Sequence, residues 1–183
     1  MRHACLLALL AALAIALVPQ AGAREQRGTR SVAANRLEIS QLAQRIAVHR
    51  VEARRWQRVM RPSRTLYSTT SGRIRSVSSG RRVLRIWRLR ALAARRQAHN
   101  PPHKHAWLCI HSFEGSWRDP NAPYYGGLQM DLEFQTTYAR DLLRRKGTAE
   151  HWTPLEQMWV AERAYRTRGF WPWPNTARYC GLL

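Results

Sequence analysis

The apolar and polar positions divide the chain into an apolar leader, a basic middle and an aromatic-rich end. The leader is a continuous apolar run at residues 4–18, preceded by a basic start and followed by the small-residue triplet 21–23. This arrangement is typical of a secretory signal peptide, so we predict that residues 1–23 are one and that cleavage follows Ala23. The run is shorter than the ~20 residues that span a bilayer, which favours cleavage over a retained anchor.

The middle of the chain has a helical pattern in which arginines separate the apolar positions. Residues 32–60 have this spacing, and Pro62 ends the segment. Residues 81–98 form a second such segment with seven arginines, and the stretch 63–80 between them is rich in Ser, Thr, Gly and Arg, as in flexible connectors. Residues 24–105 are therefore predicted to be a basic region, partly helical and partly flexible.

The end of the chain, residues 106–183, is predicted to be mainly helical. Its pattern predicts helices over about 106–113, 131–146 and 153–168, with Asp131 as an N-cap and Thr153-Pro154-Leu155-Glu156 as a capping box with proline at the first helical position. A turn-rich stretch at 119–129 separates the first two helices. Its paired glycines predict a short hairpin, or a loop whose backbone approaches a ligand closely.

The charge is concentrated in the middle region. The chain has 31 Lys+Arg and 11 Asp+Glu, a net charge of +20. Residues 24–105 hold 21 basic and three acidic side chains, a net of +18, whereas residues 106–183 hold nine and eight, a net of +1. The composition changes at the proline-containing stretch 100–103, where we place a domain boundary.

The positive charge predicts an anionic partner for residues 24–105. Because export separates the protein from genomic DNA, we expect no nucleic-acid partner. Anionic cell-wall polymers or lipid head groups are the expected partners, and the competing interpretation is an arginine-rich tether that only keeps the protein soluble. We expect a secreted, wall-associated monomer.

The cysteines predict a disulfide. Cys5 is lost with the signal peptide, and Cys109 and Cys180 then remain as a pair in an oxidising compartment. Two free thiols are the weaker alternative. Closing so long a loop stabilises a fold by roughly 4 kcal/mol in the chain-entropy model.

Glu114 is the candidate for chemistry in the end region. It lies at the end of a predicted helix, with Trp117, Tyr124 and Tyr125 following it as potential sugar-stacking side chains. Cleavage of a glycosidic bond requires a carboxylic acid that donates a proton to the leaving oxygen. A small exported domain of this composition therefore suggests glycoside chemistry, although a glutamate at this position can also simply end a helix.

An ordered set of motifs resembles the catalytic domain of the resuscitation-promoting factors. The set comprises Cys109, Glu114-Gly115-Ser116-Trp117, Tyr124-Tyr125-Gly126-Gly127-Leu128-Gln129, Val160-Ala161-Glu162-Arg163, Gly169-Phe170-Trp171-Pro172-Trp173-Pro174 and Cys180. The resemblance covers nearly all of residues 106–183 and none of residues 24–105. It implies a small α+β, lysozyme-like domain with one disulfide that acts on peptidoglycan without a cofactor or a metal.

The resemblance also implies particular roles. Glu114 matches the single catalytic acid of the family, Tyr125, Gly127 and Gln129 match residues that line its sugar-binding cleft, and Cys109 with Cys180 matches its disulfide. Trp117 and Tyr124 are added as candidate substrate-binding residues.

The chain departs from the family pattern at two places. The family usually has Cys-Glu-Ser-Gly-Gly-Asn-Trp, whereas Glu114 follows Cys109 by five positions and leaves Ser112 five positions before Trp117. Phe134-Gln135 stands where the family has a Thr-Trp pair, so that part of the cleft is not transferable.

Two reaction schemes stay open. A two-carboxylate mechanism needs a partner for Glu114, for which Asp119 and Asp131 are nearest in sequence, although each has a turn or helix-cap explanation. A lytic transglycosylase needs no second carboxylate, because the acetamido group of the substrate assists and the sugar's own 6-hydroxyl closes a 1,6-anhydro ring. Hydrolysis is the other outcome, and His111 is expected to be structural rather than catalytic.

Two non-enzymatic interpretations compete with this one. In the first, the protein binds peptidoglycan without cleaving it, and Glu114 has no chemical role. In the second, the chain is a secreted polycation in which residues 24–105 are the active part.

Overall fold

The structure is a computed structural model that describes residues 20–60 and 74–183. Its elements are α1 (Gln20–Met60), α2 (Val77–Ala98), α3 (Lys104–Glu114), α4 (Leu132–Lys146), a 3-10 turn at Ala149–His151, α5 (Pro154–Arg168) and α6 (Pro174–Tyr179). The only β pairing in these residues is an isolated antiparallel bridge between Tyr125 and Met130. The predicted mainly α class with a single disulfide is confirmed.

The predicted signal peptide falls largely outside the described residues. Residues 1–19 belong to the part of the chain that is not described, and the triplet 21–23 lies at the start of α1. Within the described ranges, none of the helices combines the length and the apolar content needed to cross a membrane. Cleavage after Ala23 stays a prediction.

The second basic helix begins earlier than predicted. We expected 63–80 to be a connector, but α2 already starts at Val77. Ser76 is its N-cap: its hydroxyl accepts a hydrogen bond from the N–H of Ser79 at 3.2 Å, and the Ser79 hydroxyl accepts one from the N–H of Ser76 at 3.2 Å. The serines taken as connector residues therefore form a capping box. The rest of the predicted connector, up to residue 73, lies outside the described residues.

Helices α1 and α2 pair as an antiparallel hairpin. Arg81 at the start of α2 forms an ion pair with Glu38 of α1 at 2.7 Å, and the far ends meet where Met60 packs near Ala98. Gly80 allows the close approach, because a Cβ at that position would lie 2.9 Å from Leu42 Cδ1. Small and aromatic side chains fill the centre of the contact, in a cluster of Ile46, Ala53, Trp87 and Ala91.

The helical hairpin of α1 and α2 packs against α5 and so contacts the end region. Met60, Ala98 and Trp159 form one buried cluster, and the indole N–H of Trp159 donates to the carbonyl oxygen of Ala98 at 2.8 Å. The predicted boundary at 100–103 coincides with the short connection between α2 and α3. The described part of the basic region is thus in direct contact with the end region through Trp159.

The end region is built around α5. Its caps are as predicted: Thr153 and Glu156 form a capping box, Pro154 is the first residue of the helix, and Gly169 follows its last turn with a φ of 57°. Eight of its residues are buried, including the polar Glu156, Gln157 and Glu162. A helix buried on nearly all sides is the centre of a fold rather than a surface element.

An aromatic cluster fills the space between α5 and the neighbouring helices. The ring of Trp107 in α3 packs edge-on against Phe170 at 5.1 Å and Trp173 at 5.2 Å, measured between centroids. Such edge-to-face pairs add to the stabilisation that burial gives. The cluster fixes the segment between α5 and α6 against the middle of α3.

Glu162 joins α5 to the beginning of α3. Its buried carboxylate accepts hydrogen bonds from the backbone N–H of His103 at 2.7 Å and from the indole N–H of Trp107 at 2.8 Å. The His103 ring nitrogen Nδ1 lies 3.0 Å from the second carboxylate oxygen. A negative charge at the N-terminus of a helix is favourable, and this one accepts from the N–H of His103, a backbone group that the helix leaves unpaired.

Two further charged residues of α5 contact α4. Burial alone would raise the pKa of Glu156, but the Lys146 ammonium and the groups of Thr153 bond to the carboxylate and lower the pKa below its usual value. Burial, reinforced by the charge of Arg166, lowers the pKa of Arg163 to about 10. The Arg163 guanidinium donates from Nε to the carbonyl oxygen of Tyr138 at 2.7 Å.

The predicted disulfide is present between Cys109 and Cys180. It joins α3 to the residue that follows α6, with the Cα atoms 6.0 Å apart and 71 positions of sequence between them. Because the closed loop contains α4, α5 and α6, the disulfide restricts the whole end region in the unfolded chain.

Replacing both cysteines, as Cys109→Ser with Cys180→Ser, should lower the free energy of unfolding by roughly 4 kcal/mol, because the unfolded chain regains the entropy of an open loop. Urea denaturation followed by circular dichroism measures the change. Adding a reductant should destabilise the wild type to the same extent and leave the variant unchanged. A variant as stable as the wild type would show that the disulfide does not stabilise the fold.

Candidate active site

Glu114 is the last residue of α3, and its side chain is half-buried. Its Oε1 atom accepts a hydrogen bond from the hydroxyl of Thr176 in α6 at 2.8 Å. The disulfide between Cys109 and Cys180 joins the same two helices. The position of the Glu114 carboxylate relative to α6 is thus set by one covalent and one hydrogen-bonded link.

Thr176 is a site residue that sequence reasoning missed. It lies 62 positions from Glu114 and is only 9% exposed. No local motif marks it. The predicted disulfide was the available signal, because Thr176 precedes Cys180 by one helical turn, and Glu114 follows Cys109 by about one turn.

The segment after Glu114 turns away from the helix axis. Gly115 has a φ of 124°, which a residue with a side chain rarely adopts, and its N–H still donates to the carbonyl oxygen of His111 at 3.2 Å. A Cβ placed on Gly115 would lie 3.9 Å from Asp119 Oδ2. The turn therefore brings Asp119 close to the end of α3.

Both oxygens of the Asp119 carboxylate accept hydrogen bonds from within this loop. Its Oδ1 atom accepts from the backbone N–H of Asn121 at 3.1 Å and from the Asn121 side-chain amide. Its Oδ2 atom accepts from the amide of Gln129 at 2.9 Å. Asp131 is likewise engaged, as the N-cap of α4, where it accepts from the N–H of Phe134 at 2.7 Å.

The predicted short hairpin is present between Tyr125 and Met130. The N–H of each donates to the carbonyl oxygen of the other, at 3.1 and 3.0 Å. The indole N–H of Trp173 donates to the carbonyl oxygen of Leu128 at 2.6 Å and so fixes the hairpin to the segment before α6. The amide of Gln129 donates back to Gly126 at 2.9 Å as well as to Asp119, so it is held within the loop.

The paired glycines of the hairpin allow close packing against the protein's own side chains. A Cβ on Gly126 would lie 2.6 Å from Gln157 Oε1, and one on Gly127 would lie 2.6 Å from His111 Nδ1 and 2.7 Å from Trp117 Cε3. Gly127 is buried, and its N–H donates to Gln157 Oε1 at 2.9 Å. The glycine backbone therefore approaches Gln157 of α5, His111 of α3 and Trp117 closely, and the predicted approach to a ligand stays a prediction.

His111 and Trp117 form the wall behind Gly127. Their rings are stacked with centroids 3.9 Å apart and planes inclined by 26°. The His111 Nδ1 atom lies 3.0 Å from the carbonyl oxygen of Gly127, which can only accept, so Nδ1–H is the donor. His111 is thus hydrogen-bonded and stacked within the fold, and the expectation that it is not catalytic stays a prediction.

Two clefts lie on the surface beside these elements. The first has a volume of about 370 Å³ and lies between the β-hairpin, α4 and the end of α5 with the segment that follows it. Its lining includes Tyr124, Gln129, Asp131, Glu133, Phe134, Tyr138 and Arg168. The second, of about 580 Å³, is lined by Ser116, Trp117, Arg118, Glu150, His151, Trp152, Thr153 and Pro154. Aromatic, charged and hydroxyl side chains together are suited to binding a polar ligand with apolar faces.

The predicted site residues are divided between these surfaces. Tyr124 and Gln129 line the first cleft and Trp117 lines the second, whereas Glu114 lines neither. Tyr125 is half-buried and pairs with Met130 in the hairpin. In the described ranges, no group of three or more His, Cys, Asp or Glu side chains is placed to hold a metal ion.

Comparison with protein-family models, with curated proteins and with solved structures finds no match for this chain. The resemblance to the resuscitation-promoting factors therefore stays a prediction from the ordered motifs of the sequence. The structure brings several of these motifs into contact. The motif at 124–129, which contains the β-hairpin, packs on α5. The motif at 169–174 packs on α3 and on the β-hairpin through Trp173.

The substitution Gly127→Ala should destabilise the protein by about 1–3 kcal/mol, because the added methyl group overlaps the stacked rings of His111 and Trp117. Thermal unfolding measures the change. Gly28→Ala is the matched control: a Cβ there meets nothing within 4 Å, and alanine in a helix should be neutral or slightly stabilising. Equal effects of the two substitutions would show that the hairpin is not packed as described.

Proposed function

We propose that this protein cleaves the glycan strand of peptidoglycan, with Glu114 as the general acid. The observation that carries the proposal is the state of the Glu114 carboxylate. Oε1 is held by the hydroxyl of Thr176, whereas Oε2 has no hydrogen-bond partner among the described residues. A general acid needs this combination of a fixed orientation and a free oxygen that can hold and donate a proton.

The contacts of the other carboxylates favour a mechanism with a single acid. The oxygens of Asp119 accept hydrogen bonds from Asn121 and Gln129, and Asp131 caps α4. A second carboxylate that activates water, or attacks the sugar, must be free to face the substrate. Both nearby candidates have structural tasks instead, so we assign the chemistry to Glu114 alone.

The reaction then follows the transglycosylase scheme. Protonated Glu114 donates its proton to the glycosidic oxygen as the bond from that oxygen to the anomeric carbon breaks. The acetamido group of the substrate supports the positive charge that develops at this carbon. The 6-hydroxyl of the same sugar attacks the carbon and loses its proton, which the Glu114 carboxylate accepts. The products are a 1,6-anhydro end and a new free hydroxyl end, and the acid is regenerated.

An exposed aromatic ring and the disulfide support this proposal. We assign the end region to the lysozyme-like class, in which a helix carries the acid beside a short β element. Tyr124, which is 50% exposed, offers a ring face for stacking on a sugar at the first cleft. A disulfide suits the oxidising surroundings of a secreted, wall-associated enzyme, which we take to be monomeric.

A glycan-binding protein without activity is the second candidate function. It is favoured by the observation that Glu114 lines neither cleft. In that case Tyr124, Tyr138 and Arg168 would hold the glycan, and Glu114 would only end α3.

The substitution Glu114→Gln tests the assignment of the acid. It keeps the shape of the side chain and the bond from Thr176 but removes the transferable proton, so activity should fall by about 10²-fold or more. Clearing of purified cell walls in a zymogram measures it. Glu52→Gln, a carboxylate of α1, is the matched control and should retain full activity.

The same preparations also distinguish the two candidate functions. Co-sedimentation with insoluble peptidoglycan should be equal for the wild type and Glu114→Gln, because the acid acts on the bond rather than on affinity. A variant that clears walls as well as the wild type would refute the acid assignment. A wild type that binds peptidoglycan but never clears it would establish the glycan-binding alternative.

A further inference from the structure

The outer face of α2 exposes large apolar side chains between arginines. Ile86, Leu89 and Leu92 are 41%, 56% and 44% exposed. The buried side chains Trp87, Ala91, Ala94 and Ala98 lie on the opposite side of the helix, against α1 and α5. The three apolar residues therefore project away from the contact between α1 and α2 and, at spacings of three positions, lie along one side of α2.

The arginines of the same face lack acidic partners. Arg82, Arg85 and Arg96 share the outer face with the apolar residues by helical spacing, and all three are exposed. None of the three forms an ion pair with a carboxylate in the described residues, in contrast to Arg81, which pairs with Glu38. Helix α2 itself contains no acidic residue. The outer face of α2 thus carries exposed apolar side chains together with arginine charges that no acidic side chain of the described residues pairs with.

The combination of these two features restricts the kind of partner. A soluble anionic polymer would use the arginines but would leave Ile86, Leu89 and Leu92 in water. A second copy of this chain would bury the apolar residues but would oppose two sets of arginines. An anionic bilayer surface satisfies both, because its phosphates accept from guanidinium groups while apolar side chains enter the boundary of the acyl chains.

We propose that the outer face of α2 binds the surface of an anionic bilayer. Ile86, Leu89 and Leu92 lie in the boundary between head groups and acyl chains, and the arginines extend alongside them to the lipid phosphates. The helix lies in the plane of the membrane and does not cross it. This proposal is independent of the glycan-cleaving activity.

Because the helical hairpin of α1 and α2 contacts α5, membrane binding by α2 would also orient the end region. The Trp159 indole bonds to the C-terminal end of α2 through Ala98. A bilayer on the outer face of α2 would therefore hold the end region at the membrane in one orientation, whereas a flexible tether would leave it free to turn.

Flotation with lipid vesicles tests the proposal on the secreted chain recovered from the medium, with its N-terminus checked by mass spectrometry. The vesicles are phosphatidylcholine with or without phosphatidylglycerol. The wild type should bind only the anionic vesicles. Ile86→Asn with Leu89→Asn should weaken this binding by about tenfold or more, and Arg85→Gln with Arg96→Gln should have a similar effect.

Matched controls keep the comparison interpretable. Leu132→Asn with Arg140→Gln changes an exposed apolar residue and an exposed arginine on α4 and should bind like the wild type. Circular dichroism should show that all variants retain the same helix content, because every substituted side chain is exposed.

Three results would overturn the proposal. Unchanged vesicle binding in both α2 variants would exclude the outer face as the membrane contact. A second such result has two parts: only the arginine variant binds vesicles more weakly, and the wild type binds soluble polyphosphate whereas the arginine variant does not. This result would assign the face to anionic polymers. A dimer in sedimentation velocity that is lost in the Ile86 and Leu89 variant would assign it to a second copy of the chain.

Discussion

The buried polar side chains of α5 are the interactions on which the rest of the structure depends. Gln157 bonds to the hairpin glycine and to the loop after Glu114, and Glu162 bonds to the start of α3. The indole N–H of Trp159 bonds to the end of α2. Buried groups of this kind are costly when unpaired, so each one specifies which neighbour must be present and in which orientation.

This arrangement explains how a carboxylate at a helix end becomes a defined site. Helix α3 is fixed at its start by Glu162 and near its end by the disulfide, and the Thr176 hydroxyl then orients Glu114 itself. The β-hairpin between Tyr125 and Met130 is positioned by hydrogen bonds from Gly127 to Gln157 and from Trp173 to Leu128. The Glu114 carboxylate is thus positioned through residues of α3, α5 and α6.

The sequence predicted the features that depend on local chemistry. The caps of α4 and α5 at Asp131 and Thr153, the short hairpin and the disulfide each follow from a few neighbouring residues or from the count of cysteines. It did not predict the packing of Trp159 on α2 or the bond from Thr176 to Glu114. Both join residues about 60 positions apart, and a tryptophan or a threonine within a helix can face many different partners.

The claim that Glu114 cleaves the glycan by the transglycosylase scheme is tested most directly by mass spectrometry of the fragments that the wild-type protein releases from purified peptidoglycan. We predict fragments with 1,6-anhydro ends, because Asp119 and Asp131 are engaged in the loop and in the cap and neither is free to activate water. Fragments with ordinary reducing ends would contradict the transglycosylase scheme, because water rather than the 6-hydroxyl would then have attacked the anomeric carbon.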